Sequence, residues 1–186
     1  MEIILKKDYE KWEAQFVKEK DLLLKVVGKE IIEMHHIGST AIKDIYAKPV
    51  IDIMVVVKNI MFMDRYNNAM RQLGYEPQGE SGISGRRFYI KGKDTRTYHV
   101  HIFQFDNYEN IDRHLAFRDY LNANKAIAKE YENLKITLAN KYSNNRSAYS
   151  NRASSIKVVS KESEWIGYLL SYLHNNSLFH LILVIT

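Results

Sequence analysis

The sequence predicts an α+β fold with one mixed β-sheet backed by helices. Three features carry that expectation. Helical and strand patterns alternate through the first half of the chain. Two β-rich runs flank Gly92-Lys93-Asp94, which is a hairpin signal. Beyond the hairpin the pattern turns helical. No shift in composition divides the chain, so residues 1–160 and a divergent C-terminal segment, 161–186, are read as parts of one domain.

Taken in order, Asp8 is placed to cap a helix over Tyr9 to Val27, where Trp12, Phe16, Leu23 and Val27 recur at helical spacing and Gly28 ends the run. Ile31 to Ile37 reads as a strand, Gly38-Ser39-Thr40 as a turn, and a short helix follows to about Ile45. Pro49 opens a strand from Val50 to Val57, whose near-continuous apolar run suits a central strand covered on both faces. Asn59 to Leu73 is helical, with Gly74 as its stop. Gly79, Gly82 and Gly85 mark a mobile loop. Arg86 to Lys91 and Arg96 to Phe105 form the hairpin strands. Helices are expected at Ile111 to Asn122 and Ala126 to Tyr142, with a weaker one near Glu162 to His174.

Composition limits the function classes. The chain has 186 residues, 46% apolar and 26% charged, which suits a globular domain and excludes disorder. It has no cysteine, so disulfides, thiolate metal sites and a thiol nucleophile are excluded, and a reducing cytosol is the expected setting. The 27 Lys and Arg exceed the 22 Asp and Glu by 5, a mild excess that suits a phosphate-bearing small partner more than nucleic acid. The N-terminus carries no leader pattern. Ile166 to Thr186 lacks charged residues, but His174-Asn175-Asn176-Ser177 breaks it, which favours a helix, turn and apolar tail over a membrane span.

Several residues carry candidate chemistry. Gly38-Ser39 follows a strand and opens a short helix, a setting in which backbone N–H groups hold phosphate; a tight turn with a serine cap is the other reading. Asp52 interrupts the apolar run PVIDIMVVV. A carboxylate there must be paired, hydrogen-bonded or metal-bound. His99 and His101 share one face of their strand, because side chains alternate, and can ligate a metal or simply be hydrogen-bonded. Arg86, Arg87, Lys91, Lys93 and Arg96 gather around the hairpin, either as phosphate clamps or as a solvated edge. Tyr120, Tyr131 and Tyr142 fall where core residues would.

The run His36-Ile37-Gly38-Ser39-Thr40-Ala41-Ile42, followed by Ala47-Lys48-Pro49-Val50-Ile51-Asp52-Ile53, resembles the GrpB family. So do Arg86-Arg87-Phe88-Tyr89, Tyr98-His99-Val100-His101-Ile102-Phe103 and the stretch from His114 to Leu121. Tyr131, Leu134-Lys135, Leu138-Ala139 and Asn145-Arg146-Ser147-Ala148-Tyr149 keep the family's spacing. The resemblance implies a nucleotidyltransferase-like fold, in which the glycine–serine turn faces nucleotide phosphates and an acidic pair on the next strand holds divalent metal. Gly38-Ser39 and Asp52 occupy those places, while Met54 stands where the second carboxylate would be. Met cannot hold Mg²⁺, which takes oxygen ligands. His99 or His101 stands in for a further carboxylate, which shifts preference from Mg²⁺ toward Mn²⁺ or Zn²⁺. After Tyr149 the pattern departs: Asn151-Arg152 replaces the family's lysine. Some relatives are fused to dephospho-coenzyme A kinase, which implies nucleotide or coenzyme A metabolism.

Two functions follow as expectations. One is metal-assisted nucleotidyl or phosphoryl transfer, with Asp52, His99 and His101 as catalytic and metal-binding residues, and with Gly38, Ser39, Thr40, Lys48, Arg86 and Arg87 on the phosphates. The other is a binding module for a nucleotide or small phosphorylated ligand that has lost the metal pair.

Overall fold

The apolar run at Ile51–Val57 becomes the middle of the fold. In the computed structural model, which describes residues 3–93, 95–145 and 148–149, this strand is β2 of a five-stranded sheet. The elements in chain order are α1 (Tyr9–Val27), β1 (Ile31–Ile37), β2 (Ile51–Val57), α2 (Asn67–Gln72), β3 (Tyr75–Pro77), β4 (Arg86–Lys91), β5 (Tyr98–Gln104), α3 (Tyr108–Ala123) and α4 (Lys125–Lys141). The strand order is β1-β2-β5-β4-β3. β2 runs antiparallel to β1 and parallel to β5, and β4 runs antiparallel to both β5 and β3.

Alternation sorts the strand side chains onto two faces. Ile51, Ile53, Val55 and Val57 meet Val100, Ile102 and Tyr89 on one face, where Trp12, Phe16 and Leu23 of α1 cover them. Met54 and Val56 meet Ile37 and Phe103 on the other, under Ile111 and Leu115 of α3. A strand buried on both faces needs apolar residues at nearly every position, which is the pattern read from the sequence. A third cluster packs Ile42 and Ile45 against Tyr120, Leu121, Ala128 and Tyr131, and so fixes the loop after β1 to α3 and α4.

Several local expectations are corrected. Asp8 makes no side-chain cap bond to α1, and Gly28 is right-handed (φ −54°), although its N–H still reaches the Leu24 carbonyl. The helix expected to follow Thr40 is a single 3-10 turn, Ser39–Ala41, after which Ile42 is extended. The run from Asn59 begins as a 3-10 helix, Ile60–Tyr66, held at its start by the Asn59 side chain accepting from the Met61 N–H, and only Asn67–Gln72 is α-helical. Gly74 takes the left-handed conformation (φ +85°) that its place as a helix stop requires. The short edge strand β3 pairs Tyr75 with Lys91 and had no sequence signal of its own, being three residues long and ending in proline. In the glycine-rich loop at 79–85, Arg86 donates from Nε to the Glu80 carbonyl (3.0 Å) and from Nη2 to the Ser81 carbonyl (2.7 Å). Asp94, the expected helix near 162–174, the apolar tail and Arg152 lie outside the described residues. Among the described residues no helix is long and apolar enough to cross a membrane.

Lys91 does not reach a phosphate site. It sits on the α1 face of β4, and its Nζ donates to Glu19 Oε1 (2.6 Å), which also accepts from the Tyr75 hydroxyl (3.0 Å). Glu19 is buried in α1, so removing its cation strands a charge. Lys91→Met is expected to lower stability by about 3 kcal/mol, whereas Lys91→Met combined with Glu19→Met should lose less. Urea denaturation of the two variants and the parent measures both.

Candidate phosphate site around Asp52

The parallel register of β2 and β5 sets Asp52 beside His99 and Met54 beside His101. The carboxylate therefore meets both imidazoles. Asp52 Oδ1 lies 3.0 Å from His99 Nδ1 and 3.5 Å from His101 Nε2. These three residues form a group whose candidate ligand atoms lie within 4.8 Å of one another. Phe88 of β4 packs across both rings, 5.4 Å from His99 and 4.9 Å from His101 between centroids.

Arg86 sets the proton positions. Its Nη1 donates to His101 Nδ1 at 3.2 Å. A guanidinium carries donors only, so Nδ1 must accept, and the proton of the neutral ring sits on Nε2, facing Asp52. The carboxylate likewise accepts, so His99 donates from Nδ1. His99 Nε2 is left buried without a partner among the described residues, and so is His114 Nε2 on α3. The His114 ring lies 5.6 Å from that of His101.

The electrostatics follow from these contacts. Burial alone would raise the Asp52 carboxyl, but the bonds from His101 and His99 outweigh it and hold the group well below the usual carboxylate range. His101 is lowered, by burial first and against the pull of Asp52, with Arg86 and His99 adding to the lowering. His114 is lowered to about 3 by burial, helped by His101 and Arg113. Asp52 is thus ionised, and His101 and His114 are neutral at neutral pH.

Gly38 lies against Asp52. Its φ is +72°, and a Cβ built there would fall 2.5 Å from Asp52 Oδ2. Only glycine meets both demands. Ser39 does not cap the turn; its Oγ shares a 2.9 Å hydrogen bond with the Tyr131 hydroxyl of α4. Thr40 is buried, with Oγ1 3.0 Å from His36 Nε2, and His36 Nδ1 lies 3.0 Å from Glu13 Oε2. That chain ties the turn to α1. With only one 3-10 turn after Gly38, no helix dipole stands behind it.

α4 closes the site with residues that sequence reasoning left out or took as core. Tyr131 and Lys135 are one turn apart on one helix face. Lys135 is 3% exposed. Its ammonium sits 5.2 Å from the centre of the Tyr131 ring, and it makes no ion pair or hydrogen bond among the described residues. Burial, and then the charge of Lys48, lower its pKa to about 7, while Asp52 and Glu132 pull the other way. Lys48 Nζ lies 4.6 Å over the ring of Tyr149, whose hydroxyl is buried and unpartnered among the described residues. Glu132, next to Tyr131, is also buried, and it accepts from the Tyr46 N–H and pairs with Lys129.

Of the expected site residues, Gly38, Ser39, Asp52, His99 and His101 converge, while Lys48 packs on the Tyr149 ring and acts on Lys135 through its charge. The two arginines do not form a phosphate clamp. Arg86 is buried and spends its donors on the 79–85 loop and His101. Alternation puts Arg87 on the opposite face, where it makes a bidentate pair with Asp64 (2.7 and 2.9 Å). Thr40 faces inward and holds the turn. A separate cleft lies beyond His36, lined by Tyr9, Glu13, Arg118 and Asn122 among others.

The five-stranded mixed sheet backed by helices defines a nucleotidyltransferase-like α+β fold. The chain belongs to the GrpB family: the family described as GrpB protein matches residues 2–161. It is 43% identical over 157 residues to UPF0157 protein YqkA of Bacillus subtilis, covering 84% of this chain and 43% of that protein, so it spans less than half of that relative. It is 39% identical over 155 residues to glutamate-rich protein GrpB of Alkalihalophilus pseudofirmus, covering 81% of this chain and 88% of that one. The crystal structure of conserved protein GrpB from Enterococcus faecalis superposes with a TM-score of 0.79 at 36% identity, over 94% of this chain and 99% of that one. A structure of Cid1 poly(U) polymerase aligns with a TM-score of 0.50 at 13% identity, over 72% of this chain and 42% of that one, a likeness of fold alone.

Two outcomes test the site's construction. Gly38→Ala should destabilise the protein by about 1–3 kcal/mol, because the added carbon meets the carboxylate in a left-handed backbone. His114 adds a pH dependence. Its pKa is lower folded than unfolded, so the unfolded chain binds the extra proton. Its contribution is complete above about 6.5 and is lost as pH falls toward about 3. His114→Asn should flatten the stability profile across that window in denaturation curves collected from pH 7 to 4.

Proposed function

We propose that this chain is a binding module for a nucleotide or other small phosphorylated ligand, built on a nucleotidyltransferase-like fold and working without the two-carboxylate metal pair. The observation that carries the reading is Lys135. A buried ammonium with no ion pair among the described residues is costly, and the charge of Lys48 adds to that cost. A phosphate group beside Lys135 would offset that cost and hold the side chain in its cationic form. The Tyr149 hydroxyl and the Ser39–Tyr131 pair supply polar contacts beside it.

Met54 supports the binding reading. It is 0% exposed among Ile37, Val56 and Phe103, an apolar layer in which a carboxylate would be desolvated. Metal-assisted nucleotidyl or phosphoryl transfer is the second reading. The close grouping of Asp52, His99 and His101 favours it.

A thermal-shift series with ATP, UTP, pyrophosphate, coenzyme A and dephospho-coenzyme A tests the proposal. At a ligand concentration a hundred times Kd the native state gains about 2.7 kcal/mol, a readily visible rise in Tm. Lys135→Met should raise the Tm of the unliganded protein and weaken binding at least tenfold. Lys48→Met should weaken binding too, and added salt should weaken it in the parent. No shift with any of the five compounds at millimolar concentration contradicts the proposal.

A further inference from the structure

The fold implies a divalent cation at Asp52, and we infer that Arg86 bars one from binding through Asp52, His99 and His101. Distance from the carboxylate to the two rings is not the obstacle. With metal–ligand bonds of 2.0–2.2 Å, neighbouring ligand atoms of a tetrahedral site lie about 3.3 Å apart. The spacings of 3.0 and 3.5 Å from Asp52 Oδ1 to the two imidazoles bracket that value. The obstacle is where the protons must go.

A metal-bound imidazole gives one nitrogen's lone pair to the ion, and its other nitrogen keeps a proton and donates it to an acceptor. The other nitrogen of His101 is Nδ1, which faces Arg86 Nη1 at 3.2 Å. Arginine has no lone pair to accept with. So Nδ1 is already the acceptor, and Nε2 carries the proton where an ion would need a lone pair. Freeing Nε2 would require either an imidazolate or the departure of Arg86. Arg86 is held on the 79–85 loop by two carbonyls, stacks 4.6 Å from the Phe88 ring, and is 6% exposed. Its fixed positive charge also repels an incoming cation. With His101 withdrawn, Asp52 and His99 supply two ligands, too few for a site of this kind.

The inference stands apart from the phosphate reading, since its test uses zinc alone. Calorimetry with ZnCl₂ should show no binding in the parent that Asp52→Asn removes; this control subtracts surface histidines such as His35. In Arg86→Gln the amide oxygen can accept from His101 Nδ1 and release Nε2. That variant should bind one equivalent of zinc at least tenfold more tightly than the parent, and adding Asp52→Asn should abolish the gain. Parental binding that Asp52→Asn abolishes would overturn the inference, as would a folded Arg86→Gln with no gain. If Arg86→Gln does not fold, ¹⁵N spectra of the parent decide. A His101 ring protonated at Nε2 is expected, and one protonated at Nδ1 overturns the inference.

Discussion

The hydrogen bond between Asp52 and His99 is the constraint on which the site depends. It lies across a parallel strand pair in the middle of the sheet, and the register that makes it also brings in His101. The half-buried carboxylate is held ionised by the His99 bond and by His101 close beside it. That demand reaches outward in steps. Arg86 holds the His101 tautomer and thereby the 79–85 loop. Gly38 must be glycine because the carboxylate fills the space a side chain would need. The attraction of Asp52 favours the charged form of Lys135 against the cost of its burial.

The same arrangement separates two roles that the wider fold combines. The family resemblance implies strand carboxylates that hold a cation and a cation that holds phosphates. Here the carboxylate accepts from imidazole, and the proposed phosphate would meet the buried Lys135 of α4 instead. A metal is not required for charge complementarity in such a site. Met54 fits this division, since it gives β2 an apolar contact to β1 and β5 where a second ligand would otherwise point.

Much of this was legible in the sequence. A lone Asp in PVIDIMVVV marked a carboxylate in a central strand that had to be paired, metal-bound or open to water at the strand end, and the alternation of Tyr98-His99-Val100-His101 put both imidazoles on one side. The family resemblance then joined the two strands. What the sequence did not show was which arginine faces the site. Arg86 and Arg87 are adjacent, and only the pairing of Arg86 with Phe103 decides that Arg86 shares the histidine face and Arg87 the other. Lys135 was missed for a different reason, although the signal existed. Ala128, Tyr131, Glu132, Lys135 and Ala139 are the buried residues of α4, so two charged side chains sit on its inward face, much as Asp52 interrupts an apolar strand. The breaks in regular helix near Ser39 and Ile60 depend on packing that single-sequence patterns do not carry.

The titration of the Lys135 side chain tests the central claim most directly, because its charge is set by burial, by Lys48 and by Asp52 together. Followed by NMR through its Cε and Nζ signals in unliganded protein, the amine is predicted to titrate near pH 7 and to shift further down in Asp52→Asn, where the opposing charge is gone. A midpoint near 10.4, the value of a solvated lysine, would contradict the account.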